Sequence, residues 1–239
     1  MDACAASMRA AILGGEIVPG TRLPAERALA KSFGVNRVTV RSALGRLAAA
    51  RLVSVRQGSG YVVRDFRRDG GPDLLPSLVR LARDGGDFVA VARDLLLVRR
   101  QLARAVLERV AAAADDAAVR RVRDAVQAFC DLVAHSAGTD AVAEADLTVL
   151  AAIVAATGSP VLGLFANPVA QLVRELPELR QAIYAQPETN AAAYRVLLLW
   201  LEARRPDLID AVAAELARRD EESLRRIAAQ AKEEATHAR

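Results

Sequence analysis

The sequence predicts a mainly α protein in two parts: an N-terminal winged helix-turn-helix (three helices plus a β-hairpin wing), then an all-α helical bundle. Three observations carry that expectation. The stretch from Leu23 to Leu47 reads as two helices parted by a tight turn, and Val53 to Val63 alternates apolar and polar residues about a glycine-containing turn. From Leu74 onward apolar residues recur at helical spacing, with no strand pattern and no internal repeat. The charge divides near the same place: of 33 Lys plus Arg and 29 Asp plus Glu, residues 1–68 hold 12 and 4, or +8, and the remaining 21 and 25 give −4. A basic head on an acidic body points to a polyanion as partner of the head alone.

Each element has its own reason. The opening MDACAASMRAAIL lacks the continuous apolar run of a signal peptide and reads as the first helix. Pro24 suits the first turn of the second helix, where its missing N–H would be unpaired anyway, and Ala25 to Phe33 continue with good helix formers. Gly34 supplies the left-handed residue that ends it. Asn36 is a good N-cap for the third helix, whose Val40, Ala43, Leu44 and Leu47 would pack against Leu29 and Phe33. Arg37 and Arg41, one turn apart, are left near the exposed N-terminal end, the end a recognition helix pushes into the major groove. Val53 to Val63 reads as a hairpin wing. On periodicity alone, an ordinary helical domain with a solvated arginine face stays open.

Charge, two glycines and a proline in RDFRRDGGPD, Arg64 to Asp73, end the wing, and the expected division is 1–64 head, 65–88 linker with a short helix, 89–235 helical body. Helices are expected over 74–83, 89–113, 116–135, 140–156, 160–175, 189–203 and 207–232, a bundle of six or seven. Leu147 to Val173 is uncharged and long enough to cross a bilayer, but Thr157-Gly-Ser-Pro160 and Asn167-Pro168 break it. Two buried helices joined by a turn are expected there, and no membrane partner. Cys4 and Cys130 show neither metal nor disulfide spacing and fit a reducing cytosol, hence a cytoplasmic location.

The head is similar to the GntR family of bacterial regulators. The segment GEIVPGTRLPAERALAKSFGVNRVTVRSALGRL followed by QGSG carries the resemblance. It implies DNA contacts by Arg27, Asn36, Arg37, Thr39, Arg41 and, at the wing tip, Gln57 and Gly58. The chain departs from the family pattern at Ala25, where serine is common, at Ser42, where glutamate is common, and at Arg51, where glycine is common.

The body resembles the all-helical effector domain of many GntR regulators, in which an aspartate and three histidines bind a metal. Asp146 matches the aspartate, but Leu150, Tyr194 and Arg218 stand at the histidine positions. Leucine and arginine are no ligands for zinc or nickel, so no metal cofactor is expected. The segments DLLLVRRQLARA, EADLTVLAAIVAATGSPVLGL and YAQPE resemble the metal-free FadR branch, which binds long-chain acyl-CoA in the bundle and then releases DNA. That resemblance implies an effector site drawing on Arg99, Tyr184, Tyr194 and Arg218. Read from spacing alone, Arg99 would instead pair with a neighbour such as Asp94. On the last helix Leu216, Ala217 and Leu224 replace the branch's polar and aromatic pocket residues, and Trp200, Leu197, Leu201 and Leu208 read as core.

Enzyme chemistry finds no support. The pairs Asp115-Asp116 and Glu221-Glu222 diverge on a helix, there is no glycine-rich phosphate loop, and neither His135 nor His237 sits in a triad motif. The expected protein is therefore a cytoplasmic GntR/FadR-type transcriptional regulator, a homodimer on a palindromic double-stranded DNA operator. A small-molecule effector, long-chain fatty acyl-CoA by resemblance, would release it. The alternatives are a regulator that answers another metabolite or none, and a non-DNA acyl-CoA-binding protein or enzyme.

Overall fold

The structure, a computed structural model, describes residues 2–56, 60–203 and 206–237. The chain divides into two units, Met1–Gly85 and Gly86–Arg239.

The first unit holds α1 (Asp2–Leu13), α2 (Glu26–Phe33), α3 (Arg37–Ala49), β1 (Val53–Arg56), β2 (Gly60–Val63), α4 (Phe66–Asp69) and α5 (Leu75–Asp84). Cys4, Met8 and Ile12 recur every four residues on α1 and share one core with Val40, Leu44 and Leu47 of α3. Burying such side chains is the main favourable term, about 1.5–3 kcal/mol each. β1 and β2 pair antiparallel with Val53 opposite Val63 and Arg56 opposite Gly60, and both valines close the core from below the wing.

Three details differ from the sequence reading. Helix α2 begins at Glu26, not at Pro24: Ala25 is its N-cap and offers no side-chain acceptor. Arg51, standing where the family commonly has glycine, adopts a left-handed backbone with φ 58 at the exit of α3, a conformation costing about 1 kcal/mol for a residue with a Cβ. The expected linker over 65–88 is largely folded into the head. Leu74 is buried in the head core, Leu78 and Leu81 pack on it, and Arg9 Nη1 donates to Ser77 Oγ at 3.3 Å.

The second unit contains, among the described residues, seven α-helices: α6 (Phe88–Ala113), α7 (Asp116–Ala134), α8 (Thr139–Ala156), α9 (Pro160–Glu175), α10 (Pro177–Ile183), α11 (Pro187–Ala203) and α12 (Ile209–His237). Asp115 caps α7 by accepting from Ala118 N at 2.6 Å, which accounts for half of the acidic pair noted above. Val122, Val126 and Phe129 of α7 pack with Val142 and Val149 of α8 and with Tyr194 and Trp200 of α11. The Phe129 and Tyr194 rings meet edge to face, centroids 5.3 Å apart.

Two breaks were expected between Leu147 and Val173, and only the first ends a helix. Helix α9 continues through Pro168. A proline there removes the N–H that would bond the Leu164 carbonyl, and Leu164 is 70% exposed, so water can replace the bond. Nor is α9 a buried helix: Leu172 and Val173 are covered, while Val161, Leu164 and Phe165 are exposed. Among the described residues no helix is long and apolar enough to cross a membrane.

Candidate nucleic-acid interface and ligand cavity

In the head, Gly34 ends α2 in the left-handed conformation (φ 64, ψ 28), with its N–H and that of Val35 turned back to the last carbonyls of the helix. The chain is thereby redirected within two residues into α3. Asn36 Oδ1 accepts from Thr39 N at 2.8 Å, so the amide oxygen of Asn36 is used in capping. The first turns of α3 then present Arg37, Val38 and Arg41 to solvent, with Thr39 half-buried, and Arg27 is exposed on α2. Gln57 and Gly58 lie outside the described residues.

Glu26, which the sequence reading passed over, grips Arg41. The guanidinium donates from Nε to Oε1 at 3.1 Å and from Nη2 to Oε2 at 2.8 Å. This fork holds the Glu26 carboxyl below its ordinary range and fixes the direction in which Arg41 leaves the helix. The signal was present in sequence as the acid of the Glu26-Arg27 pair. Val38, 75% exposed, is a second residue missed, an apolar side chain in water on a helix otherwise polar on that face.

The body contains a cavity of about 940 Å³, at the upper end of the range for ligand sites, about 300–1,000 Å³. Its walls are mainly apolar: Leu102 and Val106 of α6, Leu150 and Val154 of α8, Leu197 and Trp200 of α11. Leu208, in the turn before α12, and Leu216, within it, add to them. Trp200 and Leu197 therefore serve both core and cavity, although both read as core alone in the sequence. Exposed Val196, Leu199 and Leu208 mark the side on which it meets solvent.

Asp146, Arg99 and Arg219 gather at one end, and Arg174 and Glu215 also belong to the lining. Asp146 on α8 is buried and accepts from Tyr184 Oη at 2.7 Å and Tyr194 Oη at 2.6 Å. Burial pushes its carboxyl above the usual range, against the pull of the two hydroxyls and of Arg99. Burial and the charge of Asp146 push both tyrosines far above theirs, so they remain donors. Arg99 on α6 forms its ion pair with Asp220 on α12, 121 residues away, and not with Asp94. Burial alone would lower the Arg99 guanidinium, but Asp220 foremost, with Asp146 behind it, holds it above its ordinary value.

Arg218 is the correction among the expected effector residues. It points out of the bundle, held by Glu215 at 2.6 Å and Glu222 at 2.5 Å, and the next residue, Arg219, lines the cavity and donates to Asn190 Oδ1. The spacing could have shown it. Glu215, Arg218 and Glu222 form a three-and-four charged stripe typical of a solvent face, while Leu216, Asp220, Ser223 and Ile227 form the inward one.

A metal does not fit this arrangement. Both oxygens of Asp146 are occupied by phenol donors, Leu150 has no donor atom, and Arg218 lies outside. A carboxylate, two phenols and nearby guanidiniums form a set suited to an anion or a polar neutral group.

Comparison with known proteins agrees with both halves. Residues 2–63 match the family described as bacterial regulatory proteins, gntR family, and residues 94–230 match the FCD domain. The HTH-type transcriptional regulator Mce2R of Mycobacterium tuberculosis is 53% identical over 88 residues, 37% of this chain and 36% of that protein. The chain thus spans little more than a third of the length of that relative. The fatty acid metabolism regulator protein of Escherichia coli O1:K1 is 31% identical over 178 residues, 73% of this chain and 68% of the relative. The same fold occurs in the structure titled for Lar, which controls expression of the Listeria monocytogenes agr system, with 16% identity, a TM-score of 0.59 and coverage of 94% of this chain and 96% of that one.

Proposed function

The chain belongs to the gntR family of bacterial regulatory proteins and carries an FCD domain; on that premise we propose that it is a cytoplasmic transcriptional regulator binding a palindromic operator as a homodimer. The family is one of transcriptional regulators, not enzymes. Two copies of α3 would enter successive major-groove segments. Arg37 and Arg41 would reach base edges, Arg27, Asn36 and Thr39 would set the register on the backbone, and Gln57 and Gly58 would approach the minor groove. Val38 would lie against a thymine methyl group. The exposed apolar row of Val161, Leu164 and Phe165 supports association, which would cover it.

The single observation that carries the regulatory half is the 940 Å³ cavity, apolar along its walls and charged at one end. Its shape of chemistry fits a ligand with a long alkyl chain, and long-chain fatty acyl-CoA is the member of that class to which the similarity with a fatty acid metabolism regulator points. Arg99 and Tyr194, at the charged end, and Tyr184, behind them, would hold its polar part. Ligand that favours the DNA-free state must itself bind operator-bound protein more weakly by the same factor.

Fluorescence anisotropy of a labelled duplex from upstream of the protein's own gene tests this, at two salt concentrations, with and without palmitoyl-CoA. Specific, salt-dependent binding that palmitoyl-CoA weakens is expected. Binding indifferent to every acyl compound would remove the effector and leave the regulator.

A further inference from the structure

The charged end of the cavity leads into a second, smaller space. A small pocket of about 30 Å³ adjoins the cavity, sharing Arg99, Asn190 and Arg219 with it, and its wall also includes Arg226 and the acids Asp220 and Glu222. By the measure of about 10–15 Å³ per water, it holds two or three waters, about the room of one carboxylate or part of a phosphate. Three guanidiniums therefore meet there. Arg99 has Asp220, but Arg219 is bonded to the neutral Asn190 and Arg226 to the neutral Ala182 carbonyl and Gln186 Oε1, both at 3.1 Å. The nearby acids are bonded elsewhere: Glu215 and Glu222 hold Arg218, and Asp146 takes the two tyrosines. Burial holds Arg219 below its usual range, against the pull of Tyr194, Asp146 and Glu215, and the charge of Arg99 adds to the lowering. A cation kept out of water whose hydrogen bonds go to neutral groups is costly, and an anion relieves it.

Asp220 bears a second mark. Its residue is 4% exposed and its Oδ2 finds no hydrogen-bond partner among the described residues. An acid so placed satisfies Arg99 without being satisfied itself. We propose that this end of the cavity is an anion seat: Arg99, Arg219 and Arg226 take the oxyanion, carboxylate or phosphate, of an amphiphilic ligand whose alkyl chain lies in the cavity, and Asp220 is the internal counter-ion that the ligand displaces. The inference rests on reading the cavity as the effector site, and it adds the charge the effector must carry and the contact it must break. That contact ties α6 to α12, so the same exchange gives the body two states with different restraints between those helices.

The test is calorimetric titration of the full chain with dodecanoate, dodecanol and lauroyl-CoA, each below its micelle concentration. Dodecanoate is expected to bind at least tenfold tighter than dodecanol. Arg219→Gln should bring it down to the level of dodecanol, and Arg219→Lys should restore much of the difference. Asp220→Asn should tighten dodecanoate several-fold without changing dodecanol. If only lauroyl-CoA gains over dodecanol, and Arg219→Gln abolishes the gain, the seated oxyanion is a phosphate of the carrier and the seat stands. Equal affinity for all three ligands, unmoved by Arg219→Gln, overturns the seat while leaving the cavity as an alkyl site. Failure of all three to bind overturns both. Should Arg219→Gln melt before it can be titrated, Arg226→Gln reads the same quantity at the edge of the pocket.

Discussion

In the head, Arg27, Arg37 and Arg41 stand in water, and the one carboxylate that meets Arg41 is there to aim it. In the body, Arg99 and Arg219 are surrounded by protein, each bonded to a group from a distant part of the chain. The same side chain thus acts at long range and is screened by salt in one unit, while in the other it fixes geometry and is expensive to leave unpaired. What an arginine does here is set by its surroundings and not by its place in a motif.

The sharpest way to break that contrast is Arg99→Ala. It leaves Asp220 buried without a counter-ion and should cost about 3 kcal/mol in urea unfolding, the lower end for a broken buried pair because part of Arg99 faces the cavity. A loss no greater than that of an exposed arginine would put the two kinds on one footing. On the other side, Arg37→Ala and Arg41→Ala should leave the unfolding midpoint in place and weaken operator binding roughly 5- to 150-fold in anisotropy titrations. Unchanged operator affinity would remove them from base recognition. Tyr194→Phe asks how much the body relies on its buried carboxylate. One lost bond to Asp146 should lower stability by about 2 kcal/mol, with the operator affinity of the ligand-free protein unaltered. The smallest effect is expected at Arg51→Gly, where relief of the left-handed backbone should raise the melting temperature of the head by an amount equivalent to about 1 kcal/mol or less.

The head was legible because its signals are local. Gly34, Asn36 and the alternation about the wing each act within a few residues, and the structure uses the first two as read. The start of α2 was misplaced by two residues because Pro24 is compatible with the first turn and with the segment before it. The body was legible as helices but not as a site. Helix α10 has seven residues, too few for a periodicity to show, yet it leads directly into Tyr184. Arg219 was missed for its neighbour because the position was carried over from the family pattern, while the charged stripe of Glu215, Arg218 and Glu222, which sets Arg218 on the solvent face, went unread. The pairing of Arg99 with Asp220 spans 121 residues and had no local signature.

The cavity also bears on how the body answers pressure. Apolar-walled space that water fills poorly in the folded body is given up on unfolding, so hydrostatic pressure should destabilise the body in proportion to it. An alkyl ligand that fills that space would remove the volume difference as well as add contacts. Pressure would then distinguish the loaded protein from the empty one through its volume, with no reference to DNA.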